Sequence, residues 1–450
     1  MSVSRFFSRR YFALPAFRNL AMRRVHLFGT CCLLFVGAMS QAAAPVGVGG
    51  PHDNAWTRFR GPNGTGVVDD AAVPVVPSAG DVLWKAELPG KGHSSPVVWG
   101  DRVFLTSALD DPAQRAVICL SASSGKTLWE RRYDYVAHKK HTLNSFASPT
   151  PAVDRDHVYV SWSTPQELSL LALAHDGRDA WKVNLGPFVS QHSAGNSPIV
   201  VDDLVILVNE QDDEETAKKD GYPGAGVSFL HAVRAKDGGT VWQVPRRSAT
   251  VTYSTPMLRD LPGGGRELLV NSQAHGLGGI DPKTGKSNWE LPDVLKRRSV
   301  SSPVYAGGLV FGTCGSGGGG EYIVAVKPGP EPKLVYEIKE AAPYVPSLIA
   351  KGDLVFSMNS KGIASCFEAP TGNVVWRERV GGTFYGSPII VNDRFYMIDA
   401  DGKLVVLSAS REFKKLGEFD LGESSHSTPA AADGRLYLRT ESHLTCIGKK

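Results

Sequence analysis

The side chains best placed to do chemistry fall at one recurring position, three residues before a proline. His93, Tyr253, Tyr385 and His426 each stand three before the proline of a Ser/Thr-Pro pair, and Phe146 holds the same place before Pro149. Gly195, Val300 and Pro343 fill the position in the remaining copies. Two imidazoles, two phenols and a phenyl ring can donate, accept and stack. If these positions converge in space, they form a polar-aromatic lining for a ligand or partner; alternatively they only plug a channel or cap strand ends. Other constellations carry less. There is no H-E-x-x-H and no G-x-S-x-G, so zincin and serine-hydrolase chemistry have no motif to rest on. Gly315–Gly320 is glycine-rich but is not followed by Lys-Ser/Thr, so it reads as a hairpin loop. Glu210–Glu215 is acidic but lacks the Asp/Asn/Gly spacing of a calcium loop, so it reads as a solvated insertion. His138, His141, His192 and His275 lie outside the regular strands and read as surface histidines. No CxxC or Cys/His ligand spacing exists, and no metal site is expected.

The elements that must hold these residues repeat. A small residue followed by Pro opens an apolar run at Pro96, Pro149, Pro198, Pro256, Pro303, Pro388 and Pro429, with a degenerate copy at Val345-Pro346. Each unit then reads as four short strands separated by Gly-containing turns, at the 40–60-residue spacing of a propeller blade. The alternation is period two, which excludes helical solenoids. A turn glycine stands four residues before tryptophan in five units: Gly125–Trp129, Gly177–Trp181, Gly238–Trp242, Gly285–Trp289 and Gly372–Trp376. These tryptophans, with Trp84, are expected to fill the wedge between neighbouring blades. Tyr336 takes the place in the fifth unit. The last unit ends after three strands, while an orphan strand, Asp81–Leu88, carries Trp84 near the start. Pairing the two closes the ring and removes two open sheet edges. The expectation is an all-β, eight-bladed β-propeller of four-stranded antiparallel blades, closed by an N-terminal strand; seven blades is the alternative if the Pro346 unit is misread.

Composition agrees. The chain has 450 residues, 42% hydrophobic, with 48 glycines, enough turns for many strands. Net charge is +4, but residues 1–42 hold six arginines and no acid, so the body is nearly neutral and offers no nucleic-acid surface. Met22-Arg23-Arg24, an apolar stretch to Met39 and Ala42-Ala43-Ala44 read as a cleaved signal peptide. The stretch is shorter than a spanning helix. Either Met22 is the true start, or Ser8-Arg9-Arg10-Tyr11-Phe12 is a twin-arginine signal. The expected divisions are a leader at 1–44, an N-terminal extension at 45–80 and the propeller at 81–450. The mature chain is expected to be a periplasmic or secreted monomer without a membrane-spanning segment. Cys119, Cys314, Cys366 and Cys446 are expected as buried free thiols.

Trp56-Thr57-Arg58-Phe59-Arg60-Gly61-Pro62-Asn63-Gly64-Thr65-Gly66, Gly90–Pro96 and the repeat core Asp281–Trp289 resemble the PQQ-like (quinoprotein-type) propeller family. The resemblance spans about residues 56–448. That family includes quinoprotein alcohol dehydrogenases and BamB-type outer-membrane assembly scaffolds. The first would imply PQQ on a tryptophan floor beneath a vicinal disulfide, with Ca²⁺ and a carboxylate base. Here Cys31-Cys32 lies in the leader, no C-x-x-C-H exists, and the tryptophans are taken up by blade packing. The second implies no cofactor and a protein partner in the cell envelope. Those scaffolds are usually lipoproteins, whereas Phe28-Gly29-Thr30 before Cys31 is a poor lipobox.

Overall fold

The computed structural model describes residues 55–70 and 72–449. The expected leader and its processing site lie outside them. Eight sheets surround a central axis. Blades 1 to 7 each take four successive antiparallel strands, innermost first, beginning at Val97, Ala152, Ile199, Met257, Val304, Ile349 and Ile389. Blade 8 takes three strands from Ala430–Gly448 and its outermost from Val82–Glu87, antiparallel, with Trp84 opposite Cys446 and Ala86 opposite Leu444. The ring therefore closes on the predicted strand, and the Pro346 unit is a full blade.

What fixes the count at the axis is a belt of hydroxyls. An innermost strand is a sheet edge, so its N–H groups need partners from outside the blade. At seven of the eight seams the N–H of the residue leading into the innermost strand is met by the Ser or Thr of the next blade. The Ser95 N–H donates to Thr150 Oγ1 (2.9 Å), Thr150 to Ser197 (2.9 Å), Thr255 to Ser302 (3.1 Å) and Ser302 to Ser347 (3.0 Å). Ser347 donates to Ser387 (3.0 Å), Ser387 to Thr428 (2.8 Å), and Thr428 back to Ser95 (3.2 Å). Proline follows the belt residue in every blade but the sixth, where Leu348 follows Ser347. Having no N–H, it leaves no donor unmet at the crowded axis. The belt also corrects the reading of two blades. Blade 2 uses Thr150-Pro151, not Ser148-Pro149, and blade 6 uses Ser347-Leu348, not Val345-Pro346.

At the rim, the fourth strands of six blades reach over the next blade through an indole or a phenol. Trp84 Nε1 donates to Ala122 O (3.0 Å), Trp129 to His175 O (2.8 Å), Trp181 to Ala235 O (2.9 Å), Trp242 to Pro282 O (3.1 Å) and Trp376 to Ser410 O (3.0 Å). Trp84, Trp129, Trp181 and Trp242 lie on the neighbour's turn glycine, where a Cβ on Gly177 would come within 2.8 Å of Trp129; Trp376 packs instead on Phe413. Gly177 also has φ +86, so the turn and the contact both demand glycine. Tyr336 docks in the same way on Gly372 and Ala369 O. Trp289 differs. Blade 5 has Pro328-Gly329-Pro330 instead of a Thr-Gly turn, and the indole bonds Glu267 of its own blade (3.0 Å), which also binds Arg259. The four cysteines are buried and unpaired. Cys119, Cys366 and Cys446 each sit opposite a tryptophan of the fourth strand.

The segment before the closing strand crosses the axis, which the sequence did not suggest. Trp56, fully buried, bridges Val98 of blade 1, and Thr57 O accepts from Val153 of blade 2. Arg58 donates to Pro256 O of blade 4, and Arg60 Nη2 to Leu348 O of blade 6 (2.6 Å). Val67–Val68 then adds a fifth strand, parallel to Ile389–Val391, at the inner edge of blade 7. The chain thus spans the channel just beyond the hydroxyl belt and seals it. Gly61, Gly64 and Gly66 all have positive φ, and a Cβ on Gly61 would strike the Trp56 ring at 2.6 Å. This packing explains the density of glycine in the Trp56–Gly66 motif.

Candidate functional site

On the other side of the belt the channel opens as a cavity of about 690 Å³, with Phe59 of the crossing segment among its lining residues. The residues two before each belt hydroxyl form its wall: His93, Ser148, Gly195, Tyr253, Val300, Val345, Tyr385 and His426. Loops between blades and the second hairpin of blades 5 and 6 form its mouth.

The structure brings together four of the five residues singled out by position. His93 and His426 rings lie 4.6 Å apart and Tyr385 lies 4.7 Å from His426. Tyr253 stands in the opposite half of the ring. Phe146 is elsewhere. The Ser148-Pro149-Thr150-Pro151 doublet shifts blade 2 by two residues, so Ser148 faces the cavity and Phe146 packs on Tyr135 (4.9 Å) and His138 (4.8 Å). Val345 likewise replaces Pro343. The six tryptophans lie at the blade rims and none lines the cavity.

Two histidines read from sequence as surface groups line the mouth. His141 and His192, from the blade 1–2 and blade 2–3 connections, meet at 4.7 Å. Arg298 and Tyr344, beside the wall positions of blades 5 and 6, were also missed; with the register corrected, both lie one or two residues from a wall residue. Arg298 Nη2 donates to Gln191 Oε1 (2.9 Å) and its guanidinium faces Tyr344. His138 bonds Ser193 outside the cavity, and His275 joins a network with Glu290 and the Arg247 N–H.

Electrostatically the cavity leans positive. Arg298 and Lys361 line it, against one carboxylate, Glu321. Arg58 and Arg60 lie buried beneath it and Arg439 beside His93, all three without an ion pair among the described residues. Burial, and for Arg58 also Arg60, lowers their pKa to about 9, which leaves them charged at neutral pH. Three of the histidines lining the cavity, His93, His192 and His426, are held toward the neutral form. Burial, then His426, Arg439 and Lys140, holds His93 down to about 3; burial, then Arg298 and His141, holds His192 down to about 4. Burial also lowers His426.

A family model described as outer membrane protein assembly factor BamB matches residues 67–160, 114–327 and 345–447. The chain belongs to this BamB-like family. BamB from Moraxella catarrhalis has a similar structure, with a TM-score of 0.57 and 15% identity over 82% of this chain and 97% of that one. The computationally designed Ika8 protein is similar at 0.54, with 12% identity over 82% and 100%. The quinohemoprotein alcohol dehydrogenase of Comamonas testosteroni reaches 0.45, with 12% identity over 88% and 81%. Among curated proteins no sequence match is found. At these identities the likeness to BamB and Ika8 shows the propeller fold and nothing finer.

The residues present do not fit PQQ with calcium. No tryptophan lines the cavity, its only carboxylate is Glu321, and the four described cysteines are buried within or at the ends of strands. Among the described residues no group of three or more His, Cys, Asp or Glu side chains could hold a metal ion. A calcium ion takes six to eight oxygens, several of them from carboxylates. No helix among the described residues is long and apolar enough to cross a membrane.

Proposed function

We propose that this BamB-like propeller is an exported, non-catalytic binding or assembly scaffold of the cell envelope, acting as a monomer, whose funnel mouth engages a protein partner. The observation that carries this reading is the cavity itself. It is crossed below by the protein's own chain, walled in part by side chains that bind and stack, and built on a hydroxyl belt that links neighbouring blades. His93, His192 and His426 are held toward the neutral form, so they offer hydrogen bonds and ring faces without ionic charge. A rigid, preformed surface loses little entropy on binding, which favours recognition. Export rests on the leader, with its arginines, apolar stretch and Ala42–Ala44 site. The alternative from the same resemblance, a PQQ-dependent dehydrogenase, would need a quinone seat and a metal set that these residues do not match.

The test is capture of partners from envelope extract by the mature chain and by a His93→Ala/Tyr385→Ala variant. Both side chains line the cavity and neither belongs to the hydroxyl belt. The variant is expected to lose most of its specific capture with its Tm shifted by no more than a few degrees. Undiminished capture would move the binding surface off the funnel, and the insertion at 211–226 would be the next candidate.

A further inference from the structure

The cavity has two unlike halves. In a ring of eight, blade 1 faces blade 5 and blade 8 faces blade 4. His93, His426 and Tyr385 come from blades 1, 8 and 7 and form a continuous aromatic wall, with successive ring centroids 4.6 and 4.7 Å apart. Facing the histidines, from the segments leading into blades 4 and 5, stand Tyr253 and Arg298, with Tyr344 of the blade 6 segment beside Arg298. Arg298 makes no ion pair among the described residues; it donates to the neutral amide of Gln191 (2.9 Å), hydrogen-bonds Tyr344 and feels the charge of the buried Asp212, whose oxygens accept from the Gln191 and Val251 N–H groups. Glu321 shares the cavity and is not within ion-pair reach of Arg298. A guanidinium lining a partly enclosed cavity, with fork geometry and no carboxylate in direct ion-pair contact, is matched by a planar oxyanion. The buried Arg58 and Arg60 below add to the same field. The volume, about 690 Å³, is that of a small-molecule pocket.

We infer that the funnel is a carboxylate-binding site, in which Arg298 pairs with the carboxylate of a ligand whose flat or aromatic body lies against His93, His426 and Tyr385. This deepens the scaffold reading without requiring it. The carboxylate can be that of a small organic acid or of a partner's acidic side chain or C-terminus. Ligand binding would leave the imidazoles neutral near pH 7, acting as hydrogen-bond donors and ring faces. Neither a metal nor a covalent step is involved.

The experiment is calorimetric titration of the mature chain with phthalate and with its uncharged diamide, phthalamide. The acid is expected to bind at least tenfold more tightly than the diamide. Arg298→Gln should remove that preference at unchanged Tm, Arg298→Lys should keep part of it, and Glu321→Gln should strengthen acid binding. Equal binding of acid and diamide, or an acid preference that survives Arg298→Gln, overturns the inference. The scaffold reading fails separately. If phthalate does not bind but envelope capture still falls in His93→Ala/Tyr385→Ala, the carboxylate site is wrong and the scaffold stands. Bound phthalate that displaces a captured partner assigns the carboxylate to that partner. Bound phthalate that leaves capture intact assigns it to a free small acid.

Discussion

At the scale of single residues, the histidines make the sharpest prediction. His93, His192 and His426 are held below their ordinary range by burial and, for the first two, by neighbouring cationic side chains. In the unfolded chain they take up protons near pH 6.5. Between 6.5 and about 4 the unfolded state therefore binds more protons than the folded one, and stability falls as pH falls. Hydrogen bonds from Ser442 and Thr440, outweighing burial, hold Glu423 down to about 2 and act in the same direction at lower pH. Asp212 and Asp399, raised by burial, act oppositely. A His93→Gln/His192→Gln variant should lose less Tm than the parent between pH 7 and 4, measured by thermal melts in matched buffers. Parallel curves would mean that these imidazoles titrate normally. The cavity's makeup was only half legible in sequence. His93, Tyr253, Tyr385 and His426 share a fixed offset from a motif, so position exposed them. His141, His192 and Arg298 arrive on irregular connections, whose course is set by packing that no local pattern records.

At the scale of the element, the blade was legible because its turns and tryptophan are local. The Gly-to-Trp offset of four reflects one hairpin docking on the next, repeated around the ring. Register was less so. Ser148-Pro149 and Thr150-Pro151 satisfy the same local rule, and Val345-Pro346 overlaps Ser347. What decides between them is which hydroxyl the neighbouring blade's N–H reaches, a contact 40 to 60 residues away in sequence. Thr150→Val tests this. It keeps the shape and removes the acceptor for the buried Ser95 N–H (2.9 Å). An unsatisfied buried donor costs about 1–3 kcal/mol. Ser148→Ala should cost less, because Ser148 is half-buried and its bonds to Asn144 and Ser145 stay within one loop. Chemical denaturation of the two variants separates them; a larger loss for Ser148→Ala would contradict the belt.

At the scale of the whole molecule, closure and sealing come from one N-terminal stretch. Residues 55–68 seal the channel, and Val82–Glu87 completes blade 8. Closure was legible because one strand was missing at one end and spare at the other. The crossing segment was not, since its motif is short, irregular and held by backbone carbonyls of distant blades. Deleting Asp81–Leu88 should expose the third strand of blade 8 and the turn of blade 1 beneath Trp84, lowering stability by several kcal/mol. Trp84→Ala alone should cost less than the roughly 3–5 kcal/mol of a fully buried tryptophan, because Trp84 is only half-buried. A deletion that melts with the parent would rule out ring closure by this strand. The central functional claim, a binding propeller without redox chemistry, is tested most directly by incubating the mature chain with PQQ and Ca²⁺ and following dye reduction with alcohols and sugars. The account predicts no substrate-dependent reduction above the protein-free control; reduction that requires both the protein and added PQQ would contradict it.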